Sequence, residues 1–140
     1  MRLPPLMSEH PWPVQVVLVA VLPAVFGAVC GYFLGVSEAT YLVLSAIGIL
    51  GGVGAGLDHM GARAGARRGL AAGSIFGAAI LIAHEVHGAE AQTELPEPPI
   101  LLIVLTTVLG VAFAAFGGWL RQRYERRRAV IHPSAIGRAP

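Results

Sequence analysis

The residues best suited to chemistry are His84, Glu85, His87 and Glu90. Imidazole and carboxylate suit Zn²⁺ or another first-row divalent ion, and both can carry protons. His84 and His87 are three positions apart, so a helix puts them on one face. Two His on one helix supply half of a tetrahedral site. Glu38, or residues of a second copy, would have to complete it. The spacing departs from H-E-x-x-H because the second His comes one position early, which excludes the zincin protease arrangement. The plainer alternative is a pair of His hydrogen-bonded to a nearby loop, with no cofactor at all.

No other group of residues competes. No Ser, His and Asp fall in an arrangement with an activated nucleophile. Residues 51–56 read G-G-V-G-A-G, but they lie inside an apolar run with no βαβ pattern around them. That is not a dinucleotide loop. The sequence therefore predicts a protein that is not an enzyme.

The elements that must position the His/Glu group are long apolar runs. Hydrophobic residues make up 55% of the 140-residue chain and charged residues 13%, against about 25% charged in soluble domains. Uncharged stretches cover Pro11–Ser37, Ala39–Leu57, Gly69–Ala83 and Pro98–Leu120. Each is a candidate span. The expectation is an all-α, polytopic membrane protein: four transmembrane helices in a Gly-rich antiparallel bundle. The spans fall at about 14–36, 39–57, 66–86 and 99–120 within a membrane domain of 14–128. A flexible arm (1–13) precedes it and a disordered tail (129–140) follows.

The third run is the centre of the pattern. Glycines recur at 61, 65, 69, 73 and 77, nearly one helix face, drifting about 40° per step. A glycine inside a soluble helix costs about 1 kcal/mol against Ala. Between helices in lipid, it lets two backbones approach closely. Gly65, Gly69, Gly73 and Gly77 are therefore predicted packing positions. Gly27 and Gly31 in the first run join them, with Gly48 and Gly52 in the second and Gly110 and Gly118 in the fourth. The second run should touch the third, or the third of another copy. Pro23 should kink the first helix, with neighbours satisfying the freed carbonyl. Phe26-Gly27-Ala28 and Phe76-Gly77-Ala78 hint at two related hairpins. The very short turn at 37–39 predicts a tight hairpin of the first two spans.

Charge gives the expected orientation. All ten basic residues are Arg, a usage that points to a GC-rich bacterial genome. Arg2 precedes the first run, Arg63, Arg67 and Arg68 precede the third, and Arg121, Arg123, Arg126, Arg127, Arg128 and Arg138 follow the fourth. By the positive-inside rule both termini are cytoplasmic, in a bacterial plasma (inner) membrane. Asp58 is placed to form an inner-surface ion pair with Arg63, Arg67 or Arg68. Arg121, Arg123, Arg126, Arg127 and Arg128 suit anionic lipid head groups. The net charge of +2 does not signal nucleic-acid binding, because the basic residues sit beside spans.

Small four-span multidrug carriers are similar in size and span count, but they depend on a buried carboxylate in the first span. Here that span has none, which argues against their mechanism. The chain offers more small faces than four helices obviously need, which predicts a homo-oligomer or association with other membrane subunits. The expected role is a non-catalytic structural or accessory subunit. The alternative is an oligomeric channel or carrier for protons or divalent cations, using Glu38, His84, Glu85, His87 and Glu90.

Overall fold

The computed structural model describes residues 5–131, with side chains as far as 128. Arg2, Arg138 and most of the expected tail lie outside the described residues. Among the described residues, four long helices make up the fold: α1 (Trp12–Leu34), α2 (Glu38–Leu57), α3 (Ala62–His87) and α4 (Ile100–Ile131). Each is long and apolar enough to cross a membrane.

Local chemistry sets the ends. Ser37 caps α2, its hydroxyl accepting the Thr40 N–H at 3.4 Å. Gly61 precedes α3 with φ +93°, and Gly88 ends it with φ +68°, its N–H donating to the His84 carbonyl at 3.1 Å. Positive φ strains any residue with a Cβ, so glycine is required at both turns. The Pro98 and Pro99 carbonyls receive the first amides of α4, from Leu101 and Leu102. That helix runs on past the expected span end at Leu120, so the Arg cluster continues it, and residues 129–131 carry it into the expected tail.

Within α1, residues Val17–Val21 form a wider π-type turn. Pro23 is the reason this turn leaves carbonyls open. The Leu22 N–H reaches back to the Val17 carbonyl, and Pro23 has no N–H to offer Leu18 or Val19.

Helix α3 is the organising element. Its Gly65, Gly69 and Gly73 press on the Ala114, Gly110 and Thr106 carbonyls of α4. A Cβ added at Gly77 would meet the Thr106 hydroxyl, with the Ile103 Cα at 2.9 Å. Residue numbers rise on α3 as they fall on α4, so the pair is antiparallel. On its other side α3 runs parallel to α1. A Cβ on Gly27 would lie 2.5 Å from the Phe76 carbonyl, and Gly31 abuts the Ile80 carbonyl. The Thr106 hydroxyl adds a polar tie across the α3–α4 seam, 3.1 Å from the Gly73 carbonyl. It also lies 2.9 Å from its own helix's Leu102 carbonyl, so its single hydrogen can serve either.

Helix α2 touches α3 as expected, where a Cβ on Gly48 would lie 3.0 Å from the Phe76 ring. Its densest packing, however, is against α4. Gly56 sits on the Ala114 carbonyl, and Gly117 of α4 sits on the Val53 carbonyl. Gly52 makes only ordinary contact, with the Phe113 Cβ 3.5 Å from an added Cβ. Despite the short turn, α1 and α2 touch far less than α1 and α3 do. The two F-G-A steps are not equivalent either, since Gly27 faces α3 and Gly77 faces α4.

The loops are tied to helix ends. The Gly61 N–H donates to the Gly118 carbonyl at 3.1 Å, and the Gln92 N–H to the Leu34 carbonyl at 2.9 Å. Part of the expected flexible arm is docked as well. Residues Met7–Glu9 form a 3₁₀ turn, Met7 is buried, and its N–H donates to the Asp58 carbonyl at 2.9 Å.

Candidate functional site

The His/Glu group does not gather into one site. Glu85 lies one helical step beyond His84 and is exposed, as are Glu38 and Glu90. His87 turns toward α1, its ring centroid 4.6 Å from that of Tyr32. An added Cβ on Gly35 would lie 2.9 Å from the His87 Cδ2, so glycine there makes room for the imidazole. His84 is partly buried, and its Nδ1 is buried without a hydrogen-bond partner. Among the described residues, no three His, Cys, Asp or Glu side chains converge as a metal-holding group. Glu85 is set about 100° around the helix from His84, and Glu90 lies beyond the end of α3 at His87.

The opposite, Arg-rich end holds a more ordered arrangement. Arg68 is 7% exposed. Its Nη2 donates to the Leu18 carbonyl and its Nη1 to the Val19 carbonyl at 3.5 Å. The π-type turn and Pro23 take the usual i+4 donors away from these two carbonyls. The expected inner-surface ion pair is therefore corrected for Arg68: its guanidinium enters the bundle and serves backbone. Among the described residues, Asp58 is not within 4.0 Å of Arg63, Arg67 or Arg68 as an ion pair. Arg63 and Arg67 are exposed.

Beside Arg68 lies a cavity of about 240 Å³. All four helices line it, through residues such as Leu22, Phe26, Ile47, Gly51, Ala72 and Phe76. Among the described residues, Arg68 is the only charged one in its wall. Leu22 and Ile47 are 56% and 54% exposed, so the cavity opens sideways between α1 and α2.

Arg121 is the second buried arginine. It was expected at anionic lipid, yet it is 6% exposed. Its Nη1 donates to the Leu57 carbonyl at 2.7 Å, and its Nε to Glu125 Oε1 at 3.0 Å. It closes the last turn of α2, where carbonyls lack partners inside the helix. The remaining arginines of the cluster stay outside. Arg123, Arg126, Arg127 and Arg128 are exposed, with Arg123 over the Trp119 ring at 5.1 Å and Arg128 over Tyr124 at 5.5 Å.

Sequence reasoning missed Gly117 as a packing position and Arg68 as a bundle residue. Pro23 was the available signal for the second, since a proline in a span requires a donor from elsewhere. No protein-family model matches the chain, and searches of curated proteins and of solved structures find no match.

Proposed function

We propose that the chain is a small, non-catalytic integral membrane protein, a structural or accessory subunit of a homo-oligomer or a larger membrane complex. The observation that carries this reading is the bare face of α2. An added Cβ at Gly54 meets nothing within 4 Å, and Val43, Ile47 and Leu50 are more than half exposed. Elsewhere in the spans most glycines press on backbone of the same chain. A helix that carries glycine on an uncovered face is shaped for another helix to approach. The Arg distribution favours cytoplasmic termini in a bacterial inner membrane. Arg123, Arg126, Arg127 and Arg128 then meet anionic head groups, at about 1 kcal/mol each close to the surface.

The test is the mass of the protein in detergent, combined with Gly54→Cys cross-linking in native membranes. Cys30 is fully buried and stays silent. A disulfide-linked pair, or a larger complex, is expected. A monomeric mass with no cross-linked product would remove the assembly reading.

The transport alternative keeps one favourable observation, the unpartnered Nδ1 of His84. Proton or Zn²⁺ flux in proteoliposomes that disappears in His84→Ala and Glu85→Gln would move the reading to a carrier. No flux from well-folded protein would retire it.

A further inference from the structure

We propose that the cavity beside Arg68 binds an anionic membrane phospholipid, with an acyl chain in the apolar space and the phosphate at the guanidinium. This goes beyond the assembly reading and does not depend on it. It requires only that the four helices lie in a bilayer.

Charge is the first argument. A guanidinium stays protonated in proteins. Arg68 is 7% exposed, and no acidic side chain among the described residues forms an ion pair with it. The Leu18 and Val19 carbonyls satisfy N–H groups but cancel no charge. The Nε is buried with no partner at all. Asp58 acts on it electrostatically, but from beyond ion-pair distance. An ionised group among spans with no counter-ion in contact is costly and points to a partner that supplies one.

The cavity is the second argument. Its wall is apolar apart from Arg68, Thr106 and backbone. Apolar cavities of about 150 Å³ stay dry and accept apolar guests, and this one is larger, at about 240 Å³. Its occupant therefore joins hydrocarbon to a negative charge.

Position is the third. The mouth between Leu22 and Ile47 faces sideways, where acyl chains are. Arg68 is six residues into α3, about 9 Å along the axis from its start. That depth is near the boundary between head groups and hydrocarbon. Arg63 and Arg67 are exposed at the same helix end, available to the rest of a phosphodiester head group. A zwitterionic lipid would bring its own cation beside its phosphate, against the exposed Arg63 and Arg67 at that helix end.

The test uses the full chain in nanodiscs of phosphatidylcholine with a minority of phosphatidylglycerol. Lipid retained after detergent extraction is identified by native mass spectrometry. Wild type should retain phosphatidylglycerol well above its bulk share. Arg68→Gln should lower that retention about tenfold, the scale of one hydrogen bond to a charged group. Because Arg68 also serves α1 backbone, that variant can fail to fold, so Gly51→Phe is the deciding one. Gly51 lines the cavity, and a Cβ there meets nothing within 4 Å. Its ring should fill the space, leave the melting temperature unchanged and abolish the enrichment. Three results would overturn the proposal: retention at the bulk share, retention of phosphatidylcholine or a free fatty acid instead, or undiminished phosphatidylglycerol in Gly51→Phe.

Discussion

Toward His84 large side chains fill the space between helices, even though Gly31 brings α1 onto the Ile80 carbonyl of α3. Cys30, Leu34 and Ile80 are fully buried there, packed with Tyr41, Phe76 and Leu102. Toward Arg68 the helices meet through backbone. Gly65 and Gly69 close α3 onto α4, and Gly56 and Gly117 close α2 onto α4. Glycine draws two helices together only where both reach the seam. Where α1 and α2 stand apart, the same lack of side chains leaves a hole, and the cavity is that hole. One composition thus produces both close backbone contact and open space: Gly69, Gly73 and Gly110 belong to the seam and to the cavity wall alike.

The comparison can be broken most severely at the seam. Gly69→Leu drives a side chain into the Gly110 carbonyl, whose backbone cannot yield cheaply. The expected result is loss of monodisperse protein, or more than about 3 kcal/mol of stability. An unchanged melting temperature would mean that α3 and α4 do not touch there.

Ile80→Ala tests the filled half. Between membrane helices the transfer part of a large-to-small change is weak and the new void dominates, so about 2 kcal/mol is expected by thermal melting. Leu22→Ala, at the cavity mouth, should change little. Equal losses from the two would erase the distinction between filled and empty halves.

Arg68→Ala leaves the Leu18 and Val19 carbonyls without donors, at about 1–3 kcal/mol. Hydrogen exchange should rise locally around Val17–Val21. Exchange unchanged in that turn would show that α1 does not depend on Arg68.

The smallest effects belong to the margins. Glu125 is 37% exposed in its pair with Arg121, so Glu125→Gln should cost less than about 1 kcal/mol. Gly54→Leu should be neutral for the melting of a single chain. If it lowers the mass of an assembly as well, the bare face of α2 is an interface.

Much of the bundle was legible in the sequence because length and hydropathy report spans directly. The four apolar runs became four helices, with ends near the expected ones except in α4. Gly27, Gly69 and Gly110 of the glycine series lie against backbone of a neighbouring helix, and a missing side chain has few other uses in a span. Partner choice was not legible. Spacing shows that Gly56 belongs to a small face, but not that α4 covers it. Side-chain direction around the two His was not legible either. Glu85 and Glu90 neighbour them in the chain, yet both acids are exposed while His84 is partly buried. Arg68 was read with its neighbours as a surface charge, since its true acceptors lie about fifty positions away on a turn that only geometry reveals.

That long separation bears on biogenesis. The first two apolar segments leave the ribosome with few surfaces for each other, since α1 awaits α3 and α2 awaits α4. The open carbonyls of the π-type turn wait with them. A nascent chain halted before the third segment would therefore reach the bilayer without a resting fold, a natural client for insertion factors and for proteolysis. Only the completed second hairpin turns four threaded segments into one body.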